Sequence, residues 1–363
     1  MSRNQNYYSS SRLSASFFKA LAKGIGETRK FLEQGEVNYN LKSNFSLKFG
    51  NAIDCLITQP QFFGETYEVV RQKLPSDKLI LIIDSLFKDF SNYTPGELSN
   101  DIIRRYCKLH DYYAKDESKA AYSISQVKDQ LWYFEFLKKT KDKILLTEEE
   151  YEGIKYCKNL LRNHEYTKSF FDLMSDPRIN YQFQKEIYWQ YDPYGIECKS
   201  LLDLILVNKS NDKILLPNGF EFPGMSALII DIKHTSLPIE NIEYQCKQYD
   251  YPFQLMFYKQ AVFNTINPKF NVLNPIILAV SPISKHPVWI QLTDTECDIF
   301  HFGGVYSDRT LQPNYDNVIS DKKSIGELID LYKTYLKQDQ WEVRHDIFQN
   351  KGKIIGVYGD TEN

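Results

Sequence analysis

The sequence has no C-x-x-C pair, no run of about 20 apolar residues, no internal repeat and no low-complexity tract. Each absence closes off a class. The six cysteines, Cys55, Cys107, Cys157, Cys198, Cys246 and Cys297, are scattered singly. That spacing suggests neither a zinc ribbon nor an iron–sulfur cluster and leaves free thiols acting as small core residues. Without a long apolar run there is no membrane-spanning helix to place. The opening MSRNQNYYSSSR also lacks the apolar stretch of a signal peptide, so a cytoplasmic protein with no membrane contact is expected. Strong charge bias is missing too. A formal net charge of -3 neither demands nor excludes a polyanionic partner, because nucleic-acid binding needs a local basic face rather than an overall charge. Basic clusters exist at Arg104, Arg105 and Lys108 and at Lys138, Lys139, Lys141 and Lys143, and each alone reads as a solvated helix face.

What remains is an ordinary globular composition, 42% hydrophobic and 25% charged, in 363 residues. That length buries a sizeable core as one large domain or two modest ones. Apolar residues Leu13, Phe17, Phe18, Leu21 and Ile25 recur near a 3.6 period and predict a helix over 13–34, with Ser14 and Ser16 as caps. A second helix is expected at about 48–58, and the pattern stays mostly helical from about 76 to 174. Thr147 with Glu150 forms a capping box before one of these helices. Near residue 180 the period changes to two: YQFQKEIYWQY and KSLLDLILV read as strands joined by the turn DPYG. A loop of roughly 20 residues leads to the strand ALIID. An amphipathic stretch 238–247, a helix in YDYPFQLMFYKQAVF with Pro252 in its first turn, strands PIILAVSP and VWIQL, and a last helix at about 325–336 complete the order. The fold class expected is α/β (α+β), a central mixed sheet flanked by helices with a large helical N-terminal portion. Residues 1–363 are expected as a single domain, with a mainly helical region over 1–175, a core over 176–300, and a C-terminal helix and tail over 301–363.

Chemistry concentrates on two aspartates. Asp203 stands mid-strand among apolar residues, where an unpaired carboxylate costs several kcal/mol. Asp231 ends the next strand, and Lys233, two residues on, shares its face while Ile232 points away. If the two strands are neighbours the carboxylates converge, and a divalent cation between them relieves their repulsion. Such a centre, with Lys233 stabilising developing negative charge and the backbone carbonyl of Ile232 as a further hard ligand, suits phosphodiester hydrolysis. The alternative is a pair of salt-bridged or turn-capping carboxylates. Gln254 and Tyr258 lie four apart on one helix face; Gln245 and Tyr249 repeat the spacing. Asp321-Lys322-Lys323 and Glu197-Cys198-Lys199 resemble the acid-x-lysine pattern, but neither ends an apolar strand.

The segments SRLSASFFKAL, LKFGNAIDCLITQPQFF, KILLTEEEYEGIKYCKNLLRNH, KEIYWQYDPYGIECKSLLDLI, LIIDIKHTS and YDYPFQLMFY, in this order over about residues 8–300, resemble the PD-(D/E)xK nuclease superfamily, specifically its RecB-like branch with the RecE-type phage exonucleases. The resemblance implies a restriction-endonuclease-like core and a Mg2+- or Mn2+-dependent deoxyribonuclease without an iron–sulfur cluster. It makes Asp203 and Asp231 metal ligands, Lys233 the catalytic lysine and Gln254 with Tyr258 the branch's Q-x-x-x-Y pair. Where relatives carry a histidine near the metal, this chain has Asp54, either a ligand or an exposed helix residue. Glu186 matches an acidic position of some relatives, as a partner of Lys199 or an outer group. DNA is then the partner, an exonuclease acting on linear duplex in phage recombination or replication is the activity, and the host cytoplasm is the location. A homo-oligomer and a single-strand annealing recombinase as partner belong to the same expectation. An endonuclease on this core, or a silent fold used for DNA binding or assembly, is the alternative.

Overall fold

The structure is a computed structural model that describes residues 5–40, 45–112, 117–140, 143–192, 194–305 and 321–338. It divides into two compact units, Met1–Pro60 with Ile154–Asn363, and Gln61–Gly153. The first helices pack into the core of the sheet-bearing unit: Phe17, Phe18 and Leu21 share one apolar cluster with Trp189, Ile229 and Phe257.

That unit is built on a six-stranded sheet. Its strands are β1 (Ile179–Tyr191), β2 (Ile196–Asn208), β3 (Ser226–His234), β4 (Asn271–Val272), β5 (Ile276–Val280) and β6 (Val288–Gln291). The order is β6-β5-β3-β2-β1, with β4 also on β3; β5 and β4 run parallel to β3 and the other neighbours antiparallel. The sheet is thus mixed, mostly antiparallel and flanked by helices. β3 is its centre. Every residue from Ser226 to Ile232 is buried, as a strand covered on both faces must be, and this explains the unbroken apolar run.

The helices of this unit that frame the site and its core are α1 (Ala15–Lys23), α2 (Ile25–Asn40), α3 (Phe45–Thr58), α4 (Ile242–Gln248), α5 (Tyr251–Thr265), α6 (Asp294–Phe302) and α7 (Ile325–Gln338). The Ser14 hydroxyl accepts from the Phe17 N–H at 3.3 Å and caps α1. The single helix expected over 13–34 is two, because Gly24 takes φ 115°, a conformation outside any helix and open to glycine. α5 buries Phe253, Leu255, Met256, Phe257, Tyr258 and Val262; it is apolar nearly all round because it is packed nearly all round. Phe257 meets Trp189 with ring centroids 4.9 Å apart and Phe18 at 5.7 Å. α6 went unforeseen, although Thr293 and Glu296 announce it with a capping box.

The face assignment positions the site. Ala227 and Ile229 of β3 and Ile277 and Ala279 of β5 join the cluster of α1 and α5, so Asp231 and Lys233, in phase with them, emerge on that side. His234, out of phase, lies against Phe49 of α3 with centroids 4.7 Å apart. The sheet therefore runs between α5 and α3. The stretch between β2 and β3 is tied down: Ile214–Leu215 pairs with Glu221–Phe222, and the Asn208 amide donates to the carbonyls of Asp212 and Pro223, both at 3.0 Å.

The unit Gln61–Gly153 holds helices Asp77–Phe90, Asn100–Leu109, Glu117–Asp129 and Leu131–Thr140 around Leu79, Ile82, Ile83, Leu86, Ile103, Val127 and Phe134. It also contains a strand pair the helical pattern did not suggest, Tyr67–Val70 parallel to Ile144–Thr147. The capping box is present: the Thr147 N–H donates to Glu150 at 2.7 Å and the Glu150 N–H to the Thr147 hydroxyl at 3.1 Å.

Candidate functional site: a carboxylate–lysine centre

The β2–β3 ladder runs from Asn208–Ser226 to Leu204–Ile230 and stops. The next residues in register are Asp203 and Asp231, so the two aspartates do stand on neighbouring strands. In place of a ladder bond, the Ile232 N–H donates to Asp203 Oδ2 at 2.9 Å. The β1–β2 ladder is interrupted on the other side of Asp203. Phe183 pairs with Leu204 and Lys185 with Leu202, while Gln184, opposite Asp203, takes φ 48°. Cys198 and Leu202 face the α5 cluster before this point and Ile205 and Val207 after it, so the pleat of β2 shifts by one residue at Asp203. A left-handed non-glycine residue costs about 1–2 kcal/mol, and that strain sits beside the acidic centre.

Asp54 reaches the same place from α3. The Gln184 amide Nε2 donates to Asp54 Oδ1 at 3.1 Å and Oδ2 at 3.3 Å, and to Asp203 Oδ1 at 3.3 Å. Thr58 adds its hydroxyl to Asp54 Oδ1 at 3.3 Å. Burial, reinforced by Asp54 and Asp231, raises the Asp203 carboxyl well above the usual carboxylate range; Lys233 and the Ile232 N–H pull it partly back. Asp231 is 2% exposed, and its Oδ2 lies 2.5 Å from Lys233 Nζ. The two form a buried ion pair. Burial alone would lower the Lys233 pKa, but Asp231, Asp203 and Tyr251 more than compensate and keep the ammonium charged.

The other face contributes α5 and α1. The Gln254 amide Nε2 donates to the Tyr258 hydroxyl at 2.9 Å. Burial, with Asp231 next, raises the Tyr258 phenol, so it stays protonated. Lys19 of α1 donates to Gln254 Oε1 at 3.3 Å, which fixes the sense of the amide. Lys19 and Lys233 both lie over the Tyr251 ring, with Nζ 5.8 and 4.9 Å from its centroid. Burial and then the charge of Lys233 bring Lys19 down to about 8.

The structure thus gathers Asp54, Asp203, Asp231, Lys233, Gln254 and Tyr258 around the C-terminal end of β3. Glu186 stands apart, accepting from the Tyr188 hydroxyl at 3.0 Å, while Lys199 donates to the carbonyls of Tyr7 and Ser10, both at 3.0 Å. Gln245 is buried and Tyr249 is exposed, stacked on Tyr251. Lys322 pairs with Asp250 at 3.5 Å and Glu197 with Arg12 at 3.4 Å. Sequence reasoning missed Gln184, Lys19 and Tyr251. Counting register outward from the DPYG turn would have put Gln184 opposite Asp203.

Among the described residues no three His, Cys, Asp or Glu side chains stand already gathered as a metal cage. The chemistry of the set nevertheless fits a hard divalent cation. Its donors are carboxylate oxygens, and Asp203, raised by burial first and then by the neighbouring Asp54 and Asp231, stands where a cation would relieve both costs. The chain matches no protein-family model, and a search of curated proteins finds no match.

Proposed function

We propose that this chain is a divalent-metal-dependent deoxyribonuclease with a restriction-endonuclease-like core, acting as an exonuclease on linear duplex DNA. The observation that carries the reading is the pairing of Asp231 and Lys233 at the end of the covered central strand with Asp203 in register beside them. Carboxylates set so deep in a sheet, with an ammonium held charged against them, are costly for stability alone. Their cost is understandable at a site that handles phosphate.

Asp203, Asp231, Asp54 and the Ile232 carbonyl would hold the ion, which supplies a Lewis acid for the phosphoryl oxygen and lowers the pKa of a bound water. The rest falls to the side chains. Lys233, kept protonated, offsets negative charge growing on the phosphoryl oxygens, and loss of one such group costs about 10²–10³ in rate. Tyr258, kept as a phenol, donates its proton in a hydrogen bond to a phosphate oxygen. Gln254 holds the Tyr258 oxygen, and Lys19 holds Gln254. Action in phage recombination or replication, a homo-oligomeric assembly and a single-strand annealing partner follow from the sequence resemblance.

End-labelled linear duplex and closed circular DNA, each incubated with Mg2+, Mn2+ or EDTA, test the reading. Loss of linear duplex only with metal supports it, and full activity in EDTA overturns it. Circles cut as fast as linear DNA would make the enzyme an endonuclease on the same centre.

A further inference from the structure

Gln184 donates to both Asp54 and Asp203 and so bridges α3 and β2 at the acidic centre. It is 8% exposed and comes from a residue whose backbone leaves the β1–β2 ladder to reach this position. An amide NH2 carries partial positive charge and two donors. Placed between two acids it does, weakly, what a cation does strongly. We propose that Gln184 is a built-in stand-in for the metal: its amide holds Asp54 and Asp203 together in the metal-free chain and is displaced from between them when a divalent ion enters, so that Gln184 sets the metal affinity of the centre.

The inference rests on the metal-dependent reading of this site. Metal binding has to break the amide's bonds to the two carboxylates, so the ion gains less than it would from free acids. The metal-free fold in turn keeps its acids apart from bulk water without collapsing around an unneutralised cluster. A purely structural cross-link between α3 and β1 would behave differently. Its loss would loosen the two ligands and weaken metal binding, whereas loss of a stand-in strengthens it.

Two substitutions separate these cases while respecting the backbone. Gln184→Asn keeps an amide, tolerates the left-handed conformation, and is one methylene too short to span both acids. Gln184→Gly suits the backbone and removes the side chain. Mn2+ binding to the full chain is measured by calorimetry without DNA. Both variants should bind Mn2+ about tenfold more tightly than wild type, the fold-change expected for one hydrogen bond to a charged group. Both should melt earlier in EDTA, and the difference should disappear at saturating Mn2+. Equal or weaker Mn2+ binding in both variants overturns the proposal, as does a wild type that takes up no Mn2+ at millimolar concentration. The calorimetric outcome is independent of DNA cleavage: a chain that binds Mn2+ more tightly on Gln184→Asn yet never cuts DNA keeps this inference and loses the nuclease reading, and the opposite outcome does the reverse.

Discussion

The two units bury polar groups in opposite ways. In Gln61–Gly153 the described core is hydrocarbon: Ile82, Ile83, Leu86, Ile103, Val127 and Phe134 are fully buried, and the buried hydroxyls of Ser123 and Thr140 bond back to the carbonyls of Lys119 and Phe136 in their own helices. Its acids are exposed or answered locally: Asp89 is exposed and accepts from the Tyr106 hydroxyl, and Glu150, though buried, accepts from the Thr147 N–H. In the sheet-bearing unit the central strand carries a 2% exposed aspartate beside a lysine, with two more aspartates nearby. The first arrangement is what stability favours. The second gives stability away at one place, which is how a site for charged ligands differs from a core.

The contrast breaks most sharply if the helical core receives an acid. Ile83→Asp places an unpaired carboxylate where nothing can answer it and should cost at least about 4 kcal/mol, unfolding that unit in a thermal melt followed by circular dichroism. In the sheet, Lys233→Met should cost about 3–5 kcal/mol in urea titration at pH 7, because it leaves Asp231 buried without its cation. Adding Asp231→Asn to it should recover most of that loss, whereas a similar cost in the double variant would mean that Lys233 matters for packing alone.

A smaller effect has a definite sign. The folded-state pKa of Asp203 is raised, so its protonated form favours folding. That contribution is fully present below the ordinary value near 3.8 and is lost as pH rises through the raised value. In EDTA, Asp203→Asn should therefore be more stable than wild type at pH 7, and the gap should close as pH falls toward 4. A gap that widens on acidification would show that Asp203 is held ionised by its neighbours. Smallest of all, Asp89→Asn on the exposed face of the helical unit should change stability by no more than about 1 kcal/mol.

The same contrast shows what was legible in the sequence. β3 was readable because burial on both faces leaves one signature, an apolar run, and a charge ending it has few structural excuses. The split at Gly24 was hidden because the apolar period continues across it while only the backbone changes. The strand Tyr67–Val70 was invisible because its partner, Ile144–Thr147, lies beyond four helices, and four-residue strands carry no local mark of a distant neighbour. Lys19 and Tyr251 escaped because their role comes from the packing of α1 on α5 over the end of β3. No spacing within either segment encodes that.

The β1–β2 hairpin also bears on the order in which the centre is assembled during folding. Gln184 and Asp203 face each other across one short turn and need only local zippering to meet, whereas Asp231 must close the longer connection after β2 and Asp54 must dock from α3, far away along the chain. Low-separation contacts form cheaply and early, and distant ones await much of the collapse. The repelling acids are therefore brought together last, after an amide is already in place to receive them. Substitutions in the hairpin such as Ile187→Val should slow refolding, while Asp54→Asn should act almost entirely on the unfolding rate.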